Sequence, residues 1–511
     1  MLVKVIGGSV QGIHAVRVTV EVNVCTGVKY YIVGLPDTVI RESFQRIEAA
    51  LKNNGLRMPR QKIVVNLAPA DLKKEGSAYD LPIAAGILAG SDQLDASMLN
   101  KYMIMGELSL DGHLQPIKGI LPLTISARQE GLKGIIIPAG NVVEASMVDG
   151  ISVIGLKSIS DLLKFFNEGR LPVAQIKTVS PIADSNKQAA ADFADVKGQQ
   201  DVKRAMEVAA AGGHNILLIG PPGSGKTMLA CRLPSILPEL TPEESLDTTR
   251  IHSVAGMLKN TGGLINTRPF RSPHHTISDI ALAGGGAEQR PGEISLAHHG
   301  ILFLDELPEF KRSALEVLRQ PIEERLITIS RARYTVTFPA SFMLVASMNP
   351  CPCGYSTHPN RECSCSLSAV KRYMSKISGP LLDRIDLHIQ VSPVSFHELN
   401  STEKPESSEK IRIRVNRARE IQQLRQGRAD NFINAALDAA MIKKHCILDT
   451  SSFYMLEAAM EKLSLSARAY NRILKVARTI ADLEGSSTIQ VNHIGEAIQY
   501  RSLDRVNWCG S

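Results

Sequence analysis

The chain has 511 residues, 44% hydrophobic and 21% charged, with a formal net charge of +7; that length suits two or three domains of ordinary globular composition. No apolar run approaches the roughly 20 residues of a membrane helix. The N-terminus, MLVKVIGGSVQGIHAV, lacks a basic region followed by a long apolar core, so a cytoplasmic protein with no membrane partner is expected, in which clustered cysteines mean metal or redox chemistry rather than disulfides.

Residues 1–170 mix β-type runs (VRVTVEV, KIVVNLA, YMIMGEL, GIIIP) with helical stretches such as RESFQRIEAALKNNG. In that stretch Phe44, Ile47 and Leu51 recur at helical spacing, and one α/β domain is predicted. Residues 171–192 have little periodicity and several turn formers, which reads as a linker. A second α/β domain is predicted over 193–393. The polar SFHELNSTEKPESSEK then forms an exposed connection. Residues 408–507 read as helices: EKIRIRVNRAREIQQLRQ, TSSFYMLEAAMEKL, SARAYNRILKVARTIADLEG and VNHIGEAIQYRSL. From 408 to 511 there are 16 Lys and Arg against 11 Asp and Glu, a basic excess that permits a polyanionic partner without demanding one.

HNILLIGPPGSGKTMLACRL carries the strongest signal. A buried strand, Ile216–Ile219, leads into Gly220, Pro221, Pro222, Gly223, Ser224, Gly225, Lys226 and Thr227, and a helix follows. The glycines let backbone N–H groups point at phosphate oxygens in front of a helix N-terminus. Lys226 supplies a cation to the β- and γ-phosphates of ATP, and the Thr227 hydroxyl a ligand to Mg²⁺. A second apolar strand, Ile301–Leu304, ends in Asp305, placed to hold Mg²⁺, and Glu306, placed to act as general base on the attacking water. A third, SFMLVASMNP, ends at Asn349, whose amide can orient that water or the γ-phosphate, or cap a turn before Pro350.

Cys351, Cys353, Cys363 and Cys365 are half of the chain's eight cysteines. Four thiolates make a closed tetrahedral Zn²⁺ shell, although C-x-C pairs are tighter than the usual C-x₂₋₄-C. The intervening GYSTHPNRE has no hydrophobic anchor, so a metal would order it, with His358 as a spare ligand. The alternatives are reduced cysteines in a loop or a redox-sensitive pair.

The order of phosphate loop, acidic strand, Asn-bearing strand, SGPLLDRIDLHI and a helical region with SARAYNRIL resembles the AAA+ ATPases, within them the magnesium-chelatase-like branch. RPFRSPHHTISDIALAGGG, RPGEISLAHHGILFLDELPEF and SMNPCPCG bring the resemblance to the YifB/ComM family. The resemblance implies that Arg384 is an arginine finger acting on a neighbouring subunit's ATP and that Arg468 is a sensor arginine on the helical lid. It therefore implies a homo-oligomeric ring, usually a hexamer. NTGGLINTRPFRSPHHTISDIALAGGGAEQRPGE resembles the branch's helix-2 insertion, and ERLITISRARYTVTFPASF its pore hairpin. Arg331 and Arg333 in that hairpin would meet a DNA backbone without reading sequence. His274 and His275 read as structural rather than as metal ligands. The front domain resembles the Lon protease C-terminal domain. Its serine position falls on Ala78 and its lysine position on Leu123; Ser77 and Lys118 are out of register, so a Lon-like fold without peptidase activity is expected. The family resemblance implies a DNA helicase or branch-migration motor. The alternative is a chelatase-type remodeller, against which the front domain is taken to argue.

Overall fold

The computed structural model describes residues 1–170, 191–258, 263–286, 290–331, 334–395, 398, 405–426, 432–463 and 465–501. The expected linker lies outside them over 171–190, as does Arg333. Two compact units form: Met1–Ser185 with Ser245–Ile265, and Asn186–Glu244 with Asn266–Ser511.

The first unit is built on seven strands: β1 (Leu2–Gln11), β2 (His14–Cys25), β3 (Tyr30–Val33), β4 (Lys62–Ala68), β5 (Tyr102–Ile104), β6 (Gly134–Pro138) and β7 (Ser152–Leu156). Their order across the sheet is β3-β4-β2-β1-β5-β6-β7. In β2 the valines at 18, 20, 22 and 24 are all buried, the period-two face that VRVTVEV announces. By contrast β1, with its run Val5–Gly8 buried without alternation, has no such signature. Helix Asp80–Gly90 is apolar on every side and buried over Asp80–Ala89, as an internal helix must be. Helix Ser43–Asn53 turns Ile47, Ala50 and Leu51 inward, while Phe44 lies against the Tyr30 ring at 4.3 Å.

Residues 245–265, read from sequence as part of the second domain, cluster with this first unit. Leu246 joins Leu121, Ile125 and Val148 in a small apolar cluster, and Ser253 Oγ donates to Glu144 Oε1 at 2.5 Å.

The second unit holds five parallel strands: β8 (Ile216–Ile219), β9 (Phe270–Arg271), β10 (Ile301–Leu304), β11 (Met343–Met348) and β12 (Leu387–Gln390), in the order β9-β10-β11-β8-β12. Because β8 pairs with β11 and β11 with β10, all in parallel, the loops leaving all three converge at the carboxyl end of the sheet, where open parallel sheets bind ligands. Helices Ser408–Gln426, Thr450–Leu463, Ala467–Leu483 and Val491–Gln499 match the four expected, and Ala439–His445 is added. The α/β architecture with a helical C-terminal region is as expected. The hairpin forms between Leu326–Arg331 and Tyr334–Pro339. The other insertion contributes more than a loop: it supplies edge strand β9 and helix Asp279–Ala283. No helix among the described residues is long and apolar enough to cross a membrane.

Candidate functional site

The phosphate loop leaves β8 with the Gly220 N–H bonded to Met348 O at the end of β11, at 3.2 Å. Gly223 and Gly225 adopt φ of +79° and +86°, a region glycine enters without a Cβ penalty, and the helix Lys226–Arg232 starts directly after them. Lys226 Nζ donates to Gly220 O (2.8 Å), Pro221 O (2.9 Å) and Asn349 Oδ1 (3.3 Å). Burial pulls its ammonium below the ordinary lysine value, and the carboxylates of Asp305 and Glu306 oppose that shift. The phosphate-loop lysine and the amide that follows the third strand thus meet. Replacing Lys226 with Ala is expected to weaken ATP binding about 10–150-fold, the loss of one charge-assisted contact of about 1.5–3 kcal/mol; titration with a fluorescent ATP analogue checks it.

Thr227 Oγ1 donates to Asp305 Oδ2 at 2.8 Å, while Ser347 Oγ donates to the other carboxylate oxygen. A hydroxyl and a carboxylate side by side form the hard oxygen set that suits Mg²⁺. Ser347, fully buried on β11, was not singled out from sequence; it fixes the carboxylate from behind. The following Glu306 takes φ +55°, an uncommon conformation for a residue with a Cβ. Its N–H bonds Asp305 Oδ1 at 3.1 Å, and its side chain is 56% exposed. His275 Nδ1 stands 3.6 Å from Glu306 Oε2, so this histidine belongs to the surroundings of the candidate base.

The two arginines are placed differently. Arg468 is exposed in the first turn of helix Ala467–Leu483, which Ser466 caps by accepting from the Ala469 N–H. The Arg384 side chain is only 7% exposed; its Nη2 lies 2.9 Å from Glu323 and Nη1 donates to Pro380 O at 2.7 Å. One turn beyond Arg468, Arg472 forms an ion pair with Asp386, two residues beyond Arg384. Asp386 also accepts from the Asn215 N–H at 2.8 Å, just ahead of β8, and lies 3.8 Å from His214 Nδ1. Burial alone would raise the Asp386 carboxyl, but Arg472, His214 and the Asn215 N–H outweigh it and hold the group well below the usual carboxylate range. The lid helix, the start of the phosphate-loop strand and the LLDRID segment therefore share one buried carboxylate, which no local sequence pattern marks.

The four cysteines come together. Cys351 Sγ lies 3.3 Å from Cys353 Sγ and 3.6 Å from Cys363 Sγ, and the Cys353 N–H donates to Cys365 Sγ at 3.3 Å. All four sulfurs lie within 4.8 Å of one another, an arrangement that fits a structural metal site. His358 bonds the Asn360 N–H instead. In the front domain Ala78 packs against the core and Leu123 is buried. Ser77 Oγ donates to Glu107, not to a lysine. On the hairpin, Arg331 lies at the turn end of its strand, opposite Tyr334; its side chain, like all of Arg333, is outside the described residues.

Three family models match: "Magnesium chelatase, subunit ChlI" over 192–399, "Subunit ChlI of Mg-chelatase" over 20–141, and "Magnesium chelatase, subunit ChlI C-terminal" over 405–501. The chain is 45% identical over 501 residues to the competence protein ComM of Haemophilus influenzae, covering 97% of this chain and 96% of that one. It is 43% identical over 498 residues to YifB of Escherichia coli, again covering 97% and 96%. A shorter match, 28% identical over 127 residues, links 25% of the chain to 22% of Lon protease 2 of Bacillus subtilis.

Proposed function

This chain belongs to the ComM/YifB family of magnesium-chelatase-like AAA+ ATPases, and from that premise we propose that it is an ATP-driven ring motor on DNA, a helicase or branch-migration ATPase of recombination or natural transformation. The observation that carries this reading is the joining of Lys226 to Asn349 and of Thr227 to Asp305 at the carboxyl end of one sheet, in a chain similar along 97% of its length to a competence protein.

In the reaction we assign, the Lys226 ammonium turns from its loop carbonyls to the β- and γ-phosphates. Thr227 and Asp305 would hold Mg²⁺, which neutralises phosphate charge. Glu306 takes the proton of the attacking water, and Asn349 orients water or γ-phosphate. Arg468 reaches the γ-phosphate from the lid, and Arg384 acts on the neighbouring protomer's nucleotide in a homo-oligomeric, hexameric ring. Arg384 is paired with Glu323 within its own chain, so reaching a neighbour's phosphate requires that pair to open. Arg331 and Arg333 contact the DNA backbone. The four thiolates of Cys351, Cys353, Cys363 and Cys365 would hold one Zn²⁺. Residues 1–170 form the front domain, 193–393 the ATPase core and 408–507 the lid, in a cytoplasmic protein. We assign the front domain no peptidase chemistry, since Ala78 and Leu123 offer neither nucleophile nor base.

A chelatase-type or other protein remodeller is the second reading. The front domain does not argue against it as the sequence led us to expect, because a model described as a chelatase subunit matches residues 20–141. Measuring ATP hydrolysis with and without forked or four-way DNA, together with strand displacement, separates the two. Stimulation with branch movement is expected, weakening steeply as salt rises because phosphate contacts release counterions. No response to DNA at low salt sinks the DNA reading and favours a protein client.

A further inference from the structure

The cysteine loop is attached to the nucleotide site at two points. Cys351 follows Asn349 by two residues, so the loop begins where the amide that accepts from Lys226 ends. Next to Cys353, Gly354 takes φ +86°. A Cβ there would stand 2.6 Å from Pro222 Cδ, 3.2 Å from Pro222 Cγ and 3.9 Å from Asn349 Cγ. The backbone of the cysteine loop is therefore seated on the ring of Pro222, inside GPPGSGKT, at a distance only glycine permits.

Elsewhere the loop is held by contacts within itself, among them the Arg361 guanidinium over the Tyr355 ring and Tyr355 against His358. Cys351 is fully buried, but the stretch between the cysteine pairs is ordered by polar contacts such as Arg361 Nη1 to Tyr355 Oη at 3.1 Å. The closest sulfurs, at 3.3–3.6 Å, are too far apart for a disulfide of about 2.05 Å. They are close to the edge of about 3.8 Å that four Zn–S bonds of about 2.3 Å generate in a tetrahedron.

We infer that the four-thiolate Zn²⁺ site is a clamp on the phosphate loop: metal bound at Cys351, Cys353, Cys363 and Cys365 fixes Gly354 against Pro222 and holds Asn349 at Lys226, so nucleotide affinity depends on metal occupancy. This rests on the zinc reading given above. With the metal in place, the loop is a rigid wall beside the β- and γ-phosphates. Without it, four like-charged or protonated sulfurs have no common partner, and the ordering of a polar loop has to come from weak contacts alone.

The test uses the full chain. Metal analysis is expected to give about one zinc per chain in the wild type and in Gly354→Ala, which keeps all four thiols, and almost none in Cys363→Ser/Cys365→Ser; Co²⁺ in place of zinc should show the charge-transfer bands of a tetrahedral thiolate site. Titration with a fluorescent ATP analogue should show roughly tenfold weaker binding in Gly354→Ala, the scale of effect when a site is displaced by a fraction of an ångström. Should that variant fold poorly, the wild type is stripped with a chelator: affinity should fall as zinc leaves and recover when zinc is returned. Absence of zinc from wild type with reduced thiols overturns the metal site and the clamp with it. Zinc present, with affinity indifferent to its removal, overturns the clamp and leaves the metal site standing, whatever Gly354→Ala does. Neither result bears on the DNA reading, which strand displacement decides separately.

Discussion

Glu306→Gln is expected to lower ATP turnover by about 10²–10⁴-fold, the range for loss of a positioned general base, while ATP still binds. Glutamine keeps the size and the hydrogen-bonding reach of the side chain but cannot take a proton from water. The backbone supports the role assigned to Glu306. It directly follows Asp305, whose carboxylate is held by Thr227 and Ser347, and its left-handed φ of +55° is the kind of local strain that accumulates at reactive sites. Parallel measurement of steady-state hydrolysis and of equilibrium binding of an ATP analogue separates this from Lys226→Ala, which loses affinity. Undiminished turnover in the glutamine variant would falsify the general-base assignment and move attention to His275, 3.6 Å away.

Asp386→Ala should be strongly destabilising although it lies away from the phosphate loop. The carboxylate is fully buried between Arg472, His214 and the Asn215 N–H. Its removal leaves a largely buried guanidinium and a backbone donor without their acceptor, and breaking such a pair from one side costs about 3–5 kcal/mol. In a unit of this size that corresponds to a fall of roughly 10 °C in unfolding temperature, readable by calorimetry. The effect is also pH dependent. The folded carboxyl is depressed, so the unfolded chain takes up the proton first. The stabilisation is complete well above about pH 4, the ordinary aspartate value, and is lost as pH falls from there toward the folded value. The gap between wild type and variant should therefore be constant near neutrality and narrow in acid. A gap that widens in acid would show that the carboxylate is not what holds the lid helix to the core.

The two expectations concern opposite ends of the second sheet, Glu306 beyond the end of β10 and Asp386 just ahead of β12, and only one was visible beforehand. Glu306 lies in a contiguous signal, four apolar residues followed by two acids. Asp386 sits in LLDRID, where the resemblance draws attention to Arg384 rather than to the aspartate two residues later. Similarly, His275 reads as one of a structural pair until the fold puts it beside Glu306.

What the sequence determined by itself was whatever a short stretch encodes. The glycine spacing from Gly220 to Thr227 specifies a phosphate loop, because its backbone conformation depends on neighbours a few residues away. The strands Ile216–Ile219 and Ile301–Leu304 and the four long C-terminal helices follow from apolar runs and helical periodicity. The cysteine count marked a metal candidate. Tertiary structure decided what depends on chain crossing: the pairing of β8 with β11, the clustering of 245–265 with the first unit, the Arg384–Glu323 pair, and the seat of Gly354 on Pro222. These contacts join residues far apart in the chain, through side chains whose local periodicity is silent about their partners. Even the buried strand β1 escaped notice, since burial on both faces erases the alternation that would announce it.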